Sequence, residues 1–395
     1  MPGLSAVLGS RLSGSAGINW AANGLALDSL SRMQLATAAA TWCNAYDPGF
    51  EDLFLAKRCT VDWAVQMDRC RTAGAQHFTF TTSGSTGARK HIRHQEALLV
   101  GEAQVWANLL NTNQFCAGQI KRVVVLTPTH HIYGFMWGIL VPLALGVPAL
   151  DADIEDLPIL LPGDLVVAVP DQLHWLAGAI RNKSMPHWPG NITAVSSTSP
   201  LPHEVHRILT SPDLVGHKPA ALSRLLEIYG STETAGLGWR ADPAHAYTLA
   251  LGRNRTRDDG IELHLPSGAT AVMAVQDELQ WVDTNRFYVV RRHDQSVQVG
   301  GHNVSPTWVC DQLRSHPSVK QAAVRLSTSV RPPRLKAFVV LHTPDDAGQR
   351  RALELWALNQ LPWYANFSTV TYGLELPRNA MGKPSDWPEY VTQSP

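Results

Sequence analysis

The chain begins with a block whose apolar residues recur at the spacing of a helix. These residues are Leu30, Met33, Leu35 and Ala38. Because positions three and four apart share one face of a helix, the pattern predicts a helix with an apolar side. Asp28 or Ser29 stands where a side chain would cap its first turn. A second short helix is predicted to begin at Thr60.

The middle block, residues 73–292, alternates apolar runs with helical patterns. Predicted strands lie at 77–81, 122–126 and 164–169, and predicted helices lie at 96–110 and 203–209. Strands that alternate with helices are typical of a parallel sheet whose two faces are covered. We therefore expect an α/β domain with a mainly parallel sheet.

The last block, residues 293–395, mixes shorter elements in an α+β pattern. Predicted strands lie at 297–301, 321–326 and 335–340, and predicted helices lie at 306–315 and 350–361. The predicted fold class is α/β, with three parts. These are a large layered α/β domain at 73–292, a small α+β C-terminal domain at 293–395 and a helical lobe at 1–72.

Composition narrows the classes of partner. The 395 residues exceed one ordinary core, so two or three domains are expected. Lys plus Arg equal Asp plus Glu at 33 each, and this balance argues against nucleic acid or an anionic membrane as the main partner. The 5 cysteines include no CxxC pair, which favours reduced thiols over a disulfide framework or a zinc ribbon. Without a signal-peptide pattern or an apolar stretch of about 18 residues, we expect a cytoplasmic protein.

A loop rich in hydroxyl residues and glycine directly follows the first strand of the middle block. Its members are Thr82, Ser83, Gly84, Ser85, Thr86, Gly87 and Lys90. Backbone N–H groups in such a loop can face an anion, and Arg89 and Lys90 add positive charge that suits a polyphosphate. It is not a Walker A loop, because Arg89 precedes Lys90 and His91 follows it. A solvent-exposed Ser/Gly turn is the alternative interpretation.

Five further segments follow in order along the chain. They read Pro128-Thr-His-His-Ile-Tyr-Gly134, Ile228-Tyr-Gly-Ser-Thr-Glu233, Arg292-His-Asp-Gln-Ser-Val-Gln-Val-Gly-Gly-His302, Ser315-His-Pro-Ser-Val-Lys-Gln-Ala-Ala-Val324 and Pro377-Arg-Asn-Ala-Met-Gly-Lys383. With residues 82–90 they resemble the ordered motifs of the adenylate-forming superfamily, which contains acyl-CoA synthetases, the adenylation domains of nonribosomal peptide synthetases and luciferases. The resemblance spans about residues 75–385 and implies a mobile C-terminal domain.

The resemblance implies four catalytic residues. Lys383 matches the lysine of adenylation, whose ammonium can bridge the acid's carboxylate and the α-phosphate as charge develops. Thr232 offers a hydroxyl to the α-phosphate, and Glu233 offers a carboxylate oxygen to Mg²⁺. His131 occupies the position that lines the acyl pocket and guards the carboxylate.

Further nucleotide contacts are implied by the same resemblance at Tyr229, Gly230, Ser231, Asp277 and Arg292. Tyr229 offers a flat face for adenine. Asp277 stands fifteen residues before Arg292, which matches the spacing of the ribose-binding Asp, although Asp283 is a rival. Arg292 contacts the nucleotide by resemblance, and Asp294 is the hinge between the large and small domains.

The first block and several positions depart from the family pattern. Residues 25–35 resemble the helix start of acyl carrier proteins, in which Ser29 would bear phosphopantetheine; the alternative is a degenerate carrier-like lobe in which Asp28 and Ser29 only cap a helix. About eighty residues precede the phosphate loop, fewer than is usual in the family. Pro-Ser-Asp follows Lys383, and Gln298 replaces a frequent Lys.

The predicted function is that of an ATP- and Mg²⁺-dependent, AMP-forming acid–thiol ligase. It would pass the acid to a phosphopantetheine thiol, in the first place that of an acyl carrier protein. The aromatic residues Tyr133, Phe135 and Trp137 beside His131 favour a flat, hydroxybenzoate-type acid used in pigment or polyketide synthesis. Two alternatives stay open: an acyl-CoA ligase that uses free coenzyme A, and a catalytically degenerate protein that binds nucleotide or carrier.

Overall fold

The computed structural model describes most of the chain between residues 28 and 388. The described ranges are 28–56, 60–82, 90–112, 118–182, 190–211, 222–264, 270–273, 275–293, 296–327, 329–330, 332–343, 346–377 and 385–388. The predicted site residues that lie outside these ranges are Ser83, Gly84, Ser85, Thr86, Gly87, Asp294 and Lys383.

Helices α1 (Ser29–Trp42), α2 (Asp52–Leu55) and α3 (Thr60–Thr72) precede the first strand. The carboxylate of Asp28 accepts a hydrogen bond from the backbone N–H of Ser31 at 2.7 Å, so Asp28 is the N-cap of α1. Between α2 and α3, the indole of Trp63 donates to the carbonyl oxygen of Phe54 at 2.9 Å. These contacts hold the short helices around one small core.

This helical region also packs against the domain that follows it. The ring of Trp42 lies 4.6 Å from that of Phe78 and 5.4 Å from that of Phe135, measured between centroids. The side-chain amide of Asn44 donates to the carbonyl oxygen of His77 at 2.9 Å. The domain boundary predicted at residue 72 therefore runs beside a shared hydrophobic contact, and it stays a prediction.

Strands β1 (His77–Thr82) and β2 (Lys90–Gln95) form an antiparallel pair, and helix α4 (Glu96–Leu110) follows with the predicted bounds. The register places Thr82 opposite Lys90. The predicted phosphate loop therefore connects two paired strand ends.

The largest sheet of the described residues has nine strands. The strands from here to the end of the large domain are β3 (Arg122–Val125), β4 (Ala149–Asp151), β5 (Asp164–Ala168), β6 (Thr193–Ser196), β7 (Arg224–Ser231), β8 (Ala235–Arg240), β9 (Tyr247–Leu249), β10 (Arg253–Arg255), β11 (Ile261–His264), β12 (Thr270–Met273), β13 (Asp277–Trp281) and β14 (Arg286–Arg292). The large sheet has the order β13-β14-β9-β8-β7-β6-β5-β3-β4, while β10, β11 and β12 form a sheet of their own.

The large sheet has two halves that differ in strand direction. Pairings from β4 to β7 are parallel, and pairings from β7 to β13 are antiparallel. The parallel half follows the prediction from the sequence. The antiparallel half was not predicted, because its first new strand, β8, reads Ala-Gly-Leu-Gly-Trp-Arg and its glycines hide any alternation.

Helices cover both faces of the parallel half. They are α5, made of the consecutive segments Ile132–Phe135, Met136–Leu140 (a π-helical turn) and Val141–Leu145, then α6 (Pro170–Arg181) and α7 (His203–Thr210). Because successive side chains of a strand point to opposite faces, Val123 and Val125 pack with residues of α4 and α5, whereas Val124 packs with residues of α6 and α7. The sheet is therefore the middle layer of three.

The C-terminal domain is smaller and has its own core. Its elements are β15 (Val297–Val299), β16 (His302–Val304), α8 (Pro306–Ser315), β17 (Val319–Ser327), β18 (Arg334–Leu341), α9 (Ala347–Gln360), a 3₁₀ turn (Trp363–Ala365) and β19 (Phe367–Tyr372). Helix α9 begins earlier than predicted, because Asp346 caps it by accepting from the backbone N–H of Gln349 at 3.0 Å. The architecture confirms the predicted fold class. Among the described residues, no helix has the length and apolar character needed to span a bilayer.

Candidate active site

The candidate site lies where parallel strands of the large sheet end. In open α/β sheets, ligands bind beyond the carboxyl ends of the strands. The chain runs from β3 to His131, from β6 to Thr198, and from β7 to Thr232 and Glu233. These residues therefore share one side of the sheet, which we call the carboxyl edge.

Tyr229, Asp277 and Arg292 form a cluster beside this edge. The hydroxyl of Tyr229 on β7 donates to Oδ2 of Asp277 on β13 at 2.6 Å. Asp277 is paired in register with Arg292 of β14, and Arg292 Nη1 lies 4.0 Å from Asp277 Oδ1. Folding thus brings together three predicted nucleotide contacts that are up to 63 residues apart, from Tyr229 to Arg292.

Asp277 keeps acceptor capacity for a ligand. Its Oδ2 accepts the Tyr229 hydroxyl, but a carboxylate offers about four lone-pair sites in all. Burial, and then the charge of Asp277, raises the pKa of Tyr229 far above its usual value, so the phenol stays protonated and donates. With side chains 11% and 16% exposed, Asp277 and Arg292 form a largely enclosed polar cluster that a ligand can still reach.

Asp283, the rival of Asp277, is held in a local turn. Its carboxylate accepts from the backbone N–H groups of Asn285 and Arg286 at 2.9 and 2.8 Å. These hydrogen bonds lower the pKa of Asp283. The geometry therefore favours Asp277 over Asp283 as the ligand contact.

Thr232 and Glu233 lie in the tight turn between β7 and β8. A Cβ on Gly230 would overlap a backbone carbonyl of β8, so the close return of the chain requires glycine there. The backbone N–H of Ser231 donates to the buried hydroxyl of Thr234 at 3.0 Å. The turn thus holds Thr232 and Glu233 in place with their side chains half-buried.

His94 secures this turn from the neighbouring strand pair. Its Nε2 lies 2.6 Å from the carbonyl oxygen of Thr232, which can only accept, so Nε2 carries the proton. Burial lowers the pKa of His94, while the hydrogen bond to Thr232 and the charges of Glu102 and Glu233 oppose that shift. A neutral imidazole with its proton on Nε2 satisfies both the burial and the contact.

Lys90 stands on the same face of β2 as His94. Residues at even spacing along a strand share a face, and each two-residue step advances about 6.6 Å. Lys90 is exposed, whereas Ile92 and His94 are half-buried against the protein. Lys90 and the paired Thr82 therefore end the strand pair whose inner face contacts the Thr232 turn.

His131 begins α5 at the end of the loop that follows β3. His131 is an exposed residue. Even so, partial desolvation of its ring lowers the pKa of His131 to about 4, with smaller contributions from the charges of His130 and His302. The rings of His130 and His131 lie 4.2 Å apart between centroids. His131 is therefore neutral at physiological pH and can accept or donate one hydrogen bond at the carboxyl edge.

The β15–β16 hairpin of the small domain reaches the same edge. A Cβ on Gly301 would lie 3.8 Å from the hydroxyl of Thr198, and His302 is close enough to His131 to affect its pKa. The ring of His302 stacks on that of Tyr364 at 4.3 Å. Thr198 has a φ of 81°, which a β-branched residue rarely adopts, so the backbone is strained where the two domains meet.

Two aromatic residues assigned to the acid pocket lie in the hydrophobic core instead. Phe135 and Trp137 are 0% and 1% exposed and pack with α4 and the sheet. The hydroxyl of Tyr133 lies 3.0 and 2.9 Å from the carbonyl oxygens of Ala168 and Val195, so this phenol joins two strand ends. The pocket expected from Tyr133, Phe135 and Trp137 is thus corrected: helix α5 turns these aromatic side chains towards the sheet.

Polar hydroxyls without protein partners mark the carboxyl edge. In the described part of the chain, the buried Thr127 Oγ1 and Ser196 Oγ have no hydrogen-bond partner. Thr127 follows β3 and Ser196 ends β6. Buried polar groups in proteins are nearly always paired, so such unpaired hydroxyls at a sheet edge suit a site that water or a ligand completes.

Two predicted residues of high chemical interest, Lys383 and Asp294, lie outside the described ranges. The chain on either side of Lys383 is described: the backbone N–H of Ser385 donates to the carbonyl oxygen of Pro377 at 3.0 Å. The roles of Lys383, Asp294 and the loop residues 83–87 stay predictions.

Reasoning from the sequence missed His94 and His302. His94 could have been found, because it lies at even spacing from Lys90, and residues at even spacing share one face of a strand. His302 could not, because no local pattern records which residues two domains bring together.

Comparisons with known proteins give relatives over most of the chain. The chain is 35% identical over 364 residues to "4-coumarate–CoA ligase" of Halorhodospira halophila, with 90% of this chain and 87% of the relative covered. It is 34% identical over 374 residues to "4-coumarate–CoA ligase" of Cereibacter sphaeroides, with 92% of this chain and 84% of the relative covered. No family model matches the chain.

Solved structures share the fold at low sequence identity. An o-succinylbenzoate–CoA synthetase of Bacillus subtilis is 18% identical with a TM-score of 0.56, covering 78% of this chain and 67% of that protein. A malonyl-CoA ligase, solved with methylmalonyl-CoA and AMP bound, is 18% identical with a TM-score of 0.53, covering 76% of this chain and 71% of that protein. At this identity the likeness concerns the fold.

Proposed function

We propose that this chain, which belongs to the adenylate-forming, AMP-binding superfamily, activates an aryl acid related to 4-coumarate and transfers it to coenzyme A. The chain is an AMP-forming acid–thiol ligase. The proposal concerns which acid it activates and which thiol accepts the acyl group. The observation that carries the proposal is the 35% identity, over 90% of this chain, to a protein named 4-coumarate–CoA ligase.

Different residues of the site would contact different parts of the nucleotide. Asp277 has free lone pairs for the ribose hydroxyls, and Tyr229 holds its carboxylate in one orientation. Arg292 adds positive charge beside Asp277. Directly after the carboxyl end of β7, Thr232 would face the α-phosphate, and the loop ending at Lys90 would take the outer phosphates.

The site offers few protein ligands to Mg²⁺, and this ion needs few. Within the described ranges, no group of three or more His, Cys, Asp or Glu side chains is placed to hold a metal. Mg²⁺ is usually bound by one or two carboxylates together with substrate phosphates, so the half-buried Glu233 meets its need. The ion would neutralise charge on the phosphates.

The reaction takes two steps at the carboxyl edge. A carboxylate oxygen of the acid attacks the α-phosphorus of ATP, which forms the acyl-adenylate and breaks the bond to pyrophosphate. Lys383 would bridge the two negative groups as they meet. The thiol sulfur then attacks the acyl carbon, its proton leaves, and AMP departs. The neutral His131 contacts the acid near the reacting carbon.

Coenzyme A is proposed ahead of a carrier protein, and a 4-coumarate-like acid ahead of a hydroxybenzoate. Both choices follow the name of the relatives. The carboxylate of Asp28, just before Ser29, caps α1. This contact agrees with the interpretation in which the segment only caps a helix. A phosphopantetheine on Ser29 or on a partner carrier stays the alternative.

A degenerate, non-catalytic protein is the less favoured alternative. The short N-terminal region suggested it. However, the alignments cover 90% of this chain and 87% of the Halorhodospira halophila relative, so a protein named as a ligase has nearly the same length. The short N-terminal region is therefore no sign of lost activity.

The test is one incubation series with ATP and Mg²⁺. Each reaction contains 4-coumarate or 4-hydroxybenzoate, with either coenzyme A or an acyl carrier protein bearing phosphopantetheine, and mass spectrometry detects the thioester. We expect 4-coumaroyl-CoA as the main product. A thioester that forms only on the carrier protein would overturn the proposed acceptor, and a better reaction with 4-hydroxybenzoate would overturn the proposed acid.

A further inference from the structure

Both faces of the sheet formed by β17, β18 and β19 are covered. Leu376 and Trp387, near the end of the chain, pack against the second face. Along β18, Leu335, Ala337 and Val339 point into the core formed with α8 and α9. Phe338 and Val340 point the other way and pack with Trp387, together with Leu376. The chain on both sides of residues 378–384 therefore lies on this outer face.

Trp387 is the centre of this contact. It is 5% exposed, and its ring meets Phe338 edge-on with 5.7 Å between centroids. The ammonium of Lys336 lies 5.1 Å from the ring centroid, within the range of a cation–π contact. We call Lys336, Phe338, Asp386 and Trp387 the Trp387 anchor.

Directional hydrogen bonds fix the register of the anchor. The Lys336 ammonium donates to the carbonyl oxygen of Trp387 at 2.9 Å and lies 3.0 Å from the Asp386 carboxylate. The hydrogen bond between the Lys336 ammonium and the Asp386 carboxylate lowers the pKa of Asp386. The Lys336 side chain is only 6% exposed, and a buried ammonium needs such partners. Apolar packing alone would tolerate sliding of the segment, whereas these bonds hold one position.

The anchor lies close to Lys383 along the sequence. The backbone N–H of Ser385 donates to the carbonyl oxygen of Pro377 at 3.0 Å, which joins the two flanks of residues 378–384. Lys383 precedes Ser385 by two residues, and two residues of extended chain span at most about 7 Å. The flank that the anchor holds is therefore joined to Lys383 by a very short piece of chain.

We propose that the Trp387 anchor is the positioning element of the adenylation lysine: it holds the base of the segment that carries Lys383. Trp387 and Lys336 are positioning residues and act through Lys383. The inference rests on the proposed function. It explains the departure from the family pattern after Lys383, since Asp386 and Trp387 are the residues that seat the segment.

The test separates the two half-reactions in Trp387→Ala. Adenylation is measured as 4-coumarate-dependent exchange of pyrophosphate into ATP without thiol, and transfer is measured from supplied 4-coumaroyl-adenylate and coenzyme A. Small misplacements of a catalytic group cost up to about a hundredfold. We expect exchange to fall by about tenfold to a hundredfold while transfer changes by less than about twofold.

Control variants keep the test decisive. Trp356→Ala removes another tryptophan of the small domain, one that packs at the other face beside His316, and should affect the two half-reactions equally. Lys336→Met, which replaces a buried ammonium by an apolar chain and keeps the fold, should reproduce the selective loss. Equal losses in both half-reactions, or no loss, in Trp387→Ala and Lys336→Met would overturn the anchor.

Failure of the anchor can be told apart from failure of the proposed function. If wild-type protein shows no 4-coumarate-dependent exchange, the proposed function fails. If Lys383→Ala abolishes exchange while Trp387→Ala and Lys336→Met do not reduce it, only the anchor is overturned.

Discussion

Two pairs of acidic residues lie in the large domain in opposite situations. Glu102 and Glu227 are 7% and 3% exposed inside the protein, whereas Asp277 and Glu233 are half-buried at the carboxyl edge. The first pair is surrounded by donors, whereas in the described part of the chain Asp277 accepts from one hydroxyl and keeps acceptor sites. The difference separates carboxylates that hold the fold from those available to a ligand.

Glu102 shows what full pairing looks like. It accepts from the indole of Trp106 at 3.0 Å, from the backbone N–H of Gly236 at 2.9 Å and from Arg253 at 2.5 Å. These bonds tie α4 to β8 of the large sheet and to β10 of the smaller sheet. Such a residue is expected to serve stability.

Glu227 follows the same rule within the sheet. It accepts from Arg240 at 2.8 Å, from the hydroxyl of Tyr247 at 2.5 Å and from the backbone N–H of Leu201 at 3.2 Å. By contrast, Asp277 accepts one hydroxyl at 2.6 Å, and the nearest nitrogen of Arg292 is 4.0 Å away. A carboxylate of the site is therefore recognised by lone pairs that lack donors, and not by its burial.

The largest expected effect is on stability in Glu102→Ala. The change leaves the 3% exposed side chain of Arg253 without its carboxylate, and breaking a buried pair in this way costs about 3–5 kcal/mol. Denaturant unfolding measures the loss. Glu233→Ala is the matched control: it should stay within about 0.5 kcal/mol of wild type while losing adenylation. Similar stability losses in the two variants would remove the distinction.

Asp277→Asn should affect ATP binding rather than folding. The amide can still accept the Tyr229 hydroxyl, but it loses the charge that strengthens hydrogen bonds to ribose hydroxyls. Charge adds about 1–1.5 kcal/mol to a hydrogen bond, so KM for ATP should rise about tenfold. Steady-state kinetics measures it, with Asp283→Asn as the control that should leave KM unchanged. A larger effect in the control would reverse the choice between the two residues.

Tyr229→Phe should give a smaller change of the same kind. It removes the hydroxyl that orients Asp277 and leaves the carboxylate in place. Because the hydroxyl acts on ATP only by orienting Asp277, we expect a loss of about 1 kcal/mol or less, so KM for ATP should rise about fivefold or less. If the loss in Tyr229→Phe exceeds that in Asp277→Asn, the phenol itself contacts the ligand and the assigned order is wrong.

The last expected effect is on the pH dependence of stability, through His131. The pKa of His131 is lowered from 6.5 to about 4 in the folded chain. Between these values the unfolded chain binds the proton and the folded chain does not, so stability falls as pH decreases from 6.5 to 4. His130 and His302 face the same ring and act in the same direction.

His131→Asn should reduce this acid sensitivity. Melting temperatures of wild type and variant, compared at pH values across the window, give the measurement. A wild-type protein whose stability falls no more steeply than the variant's would show that His131 titrates normally.

Patterns of the sequence predicted two strands of the parallel half, β3 and β5, and no strand that belongs to the antiparallel half alone. The apolar runs of β3 and β5 are buried on both faces, and such runs can be recognised without context. Strand β14 reads Arg-Phe-Tyr-Val-Val-Arg-Arg, and only its pairing with β9 and β13 makes it part of the sheet. Strand identity there comes from tertiary contacts, which a local pattern cannot contain.

The same contrast holds for the site. Tyr229, Thr232 and Glu233 lie within five consecutive residues, so their residue types suggested a nucleotide site directly. The choice of Asp277 over Asp283 needed the register of β13 with β14. That Phe135 and Trp137 lie in the core could be known only from the direction in which α5 turns them. Their aromatic residue types alone led to a wrong prediction of the acid pocket.

The central claim is that the chain forms acyl-adenylates through residues gathered at the carboxyl edge and Lys383. The most direct measurement is 4-coumarate-dependent exchange of labelled pyrophosphate into ATP, made with wild-type protein and with Lys383→Ala. We expect exchange in the wild type and a loss of about a hundredfold or more in the variant. Exchange that is unchanged in Lys383→Ala, or absent from folded wild-type protein, would contradict it.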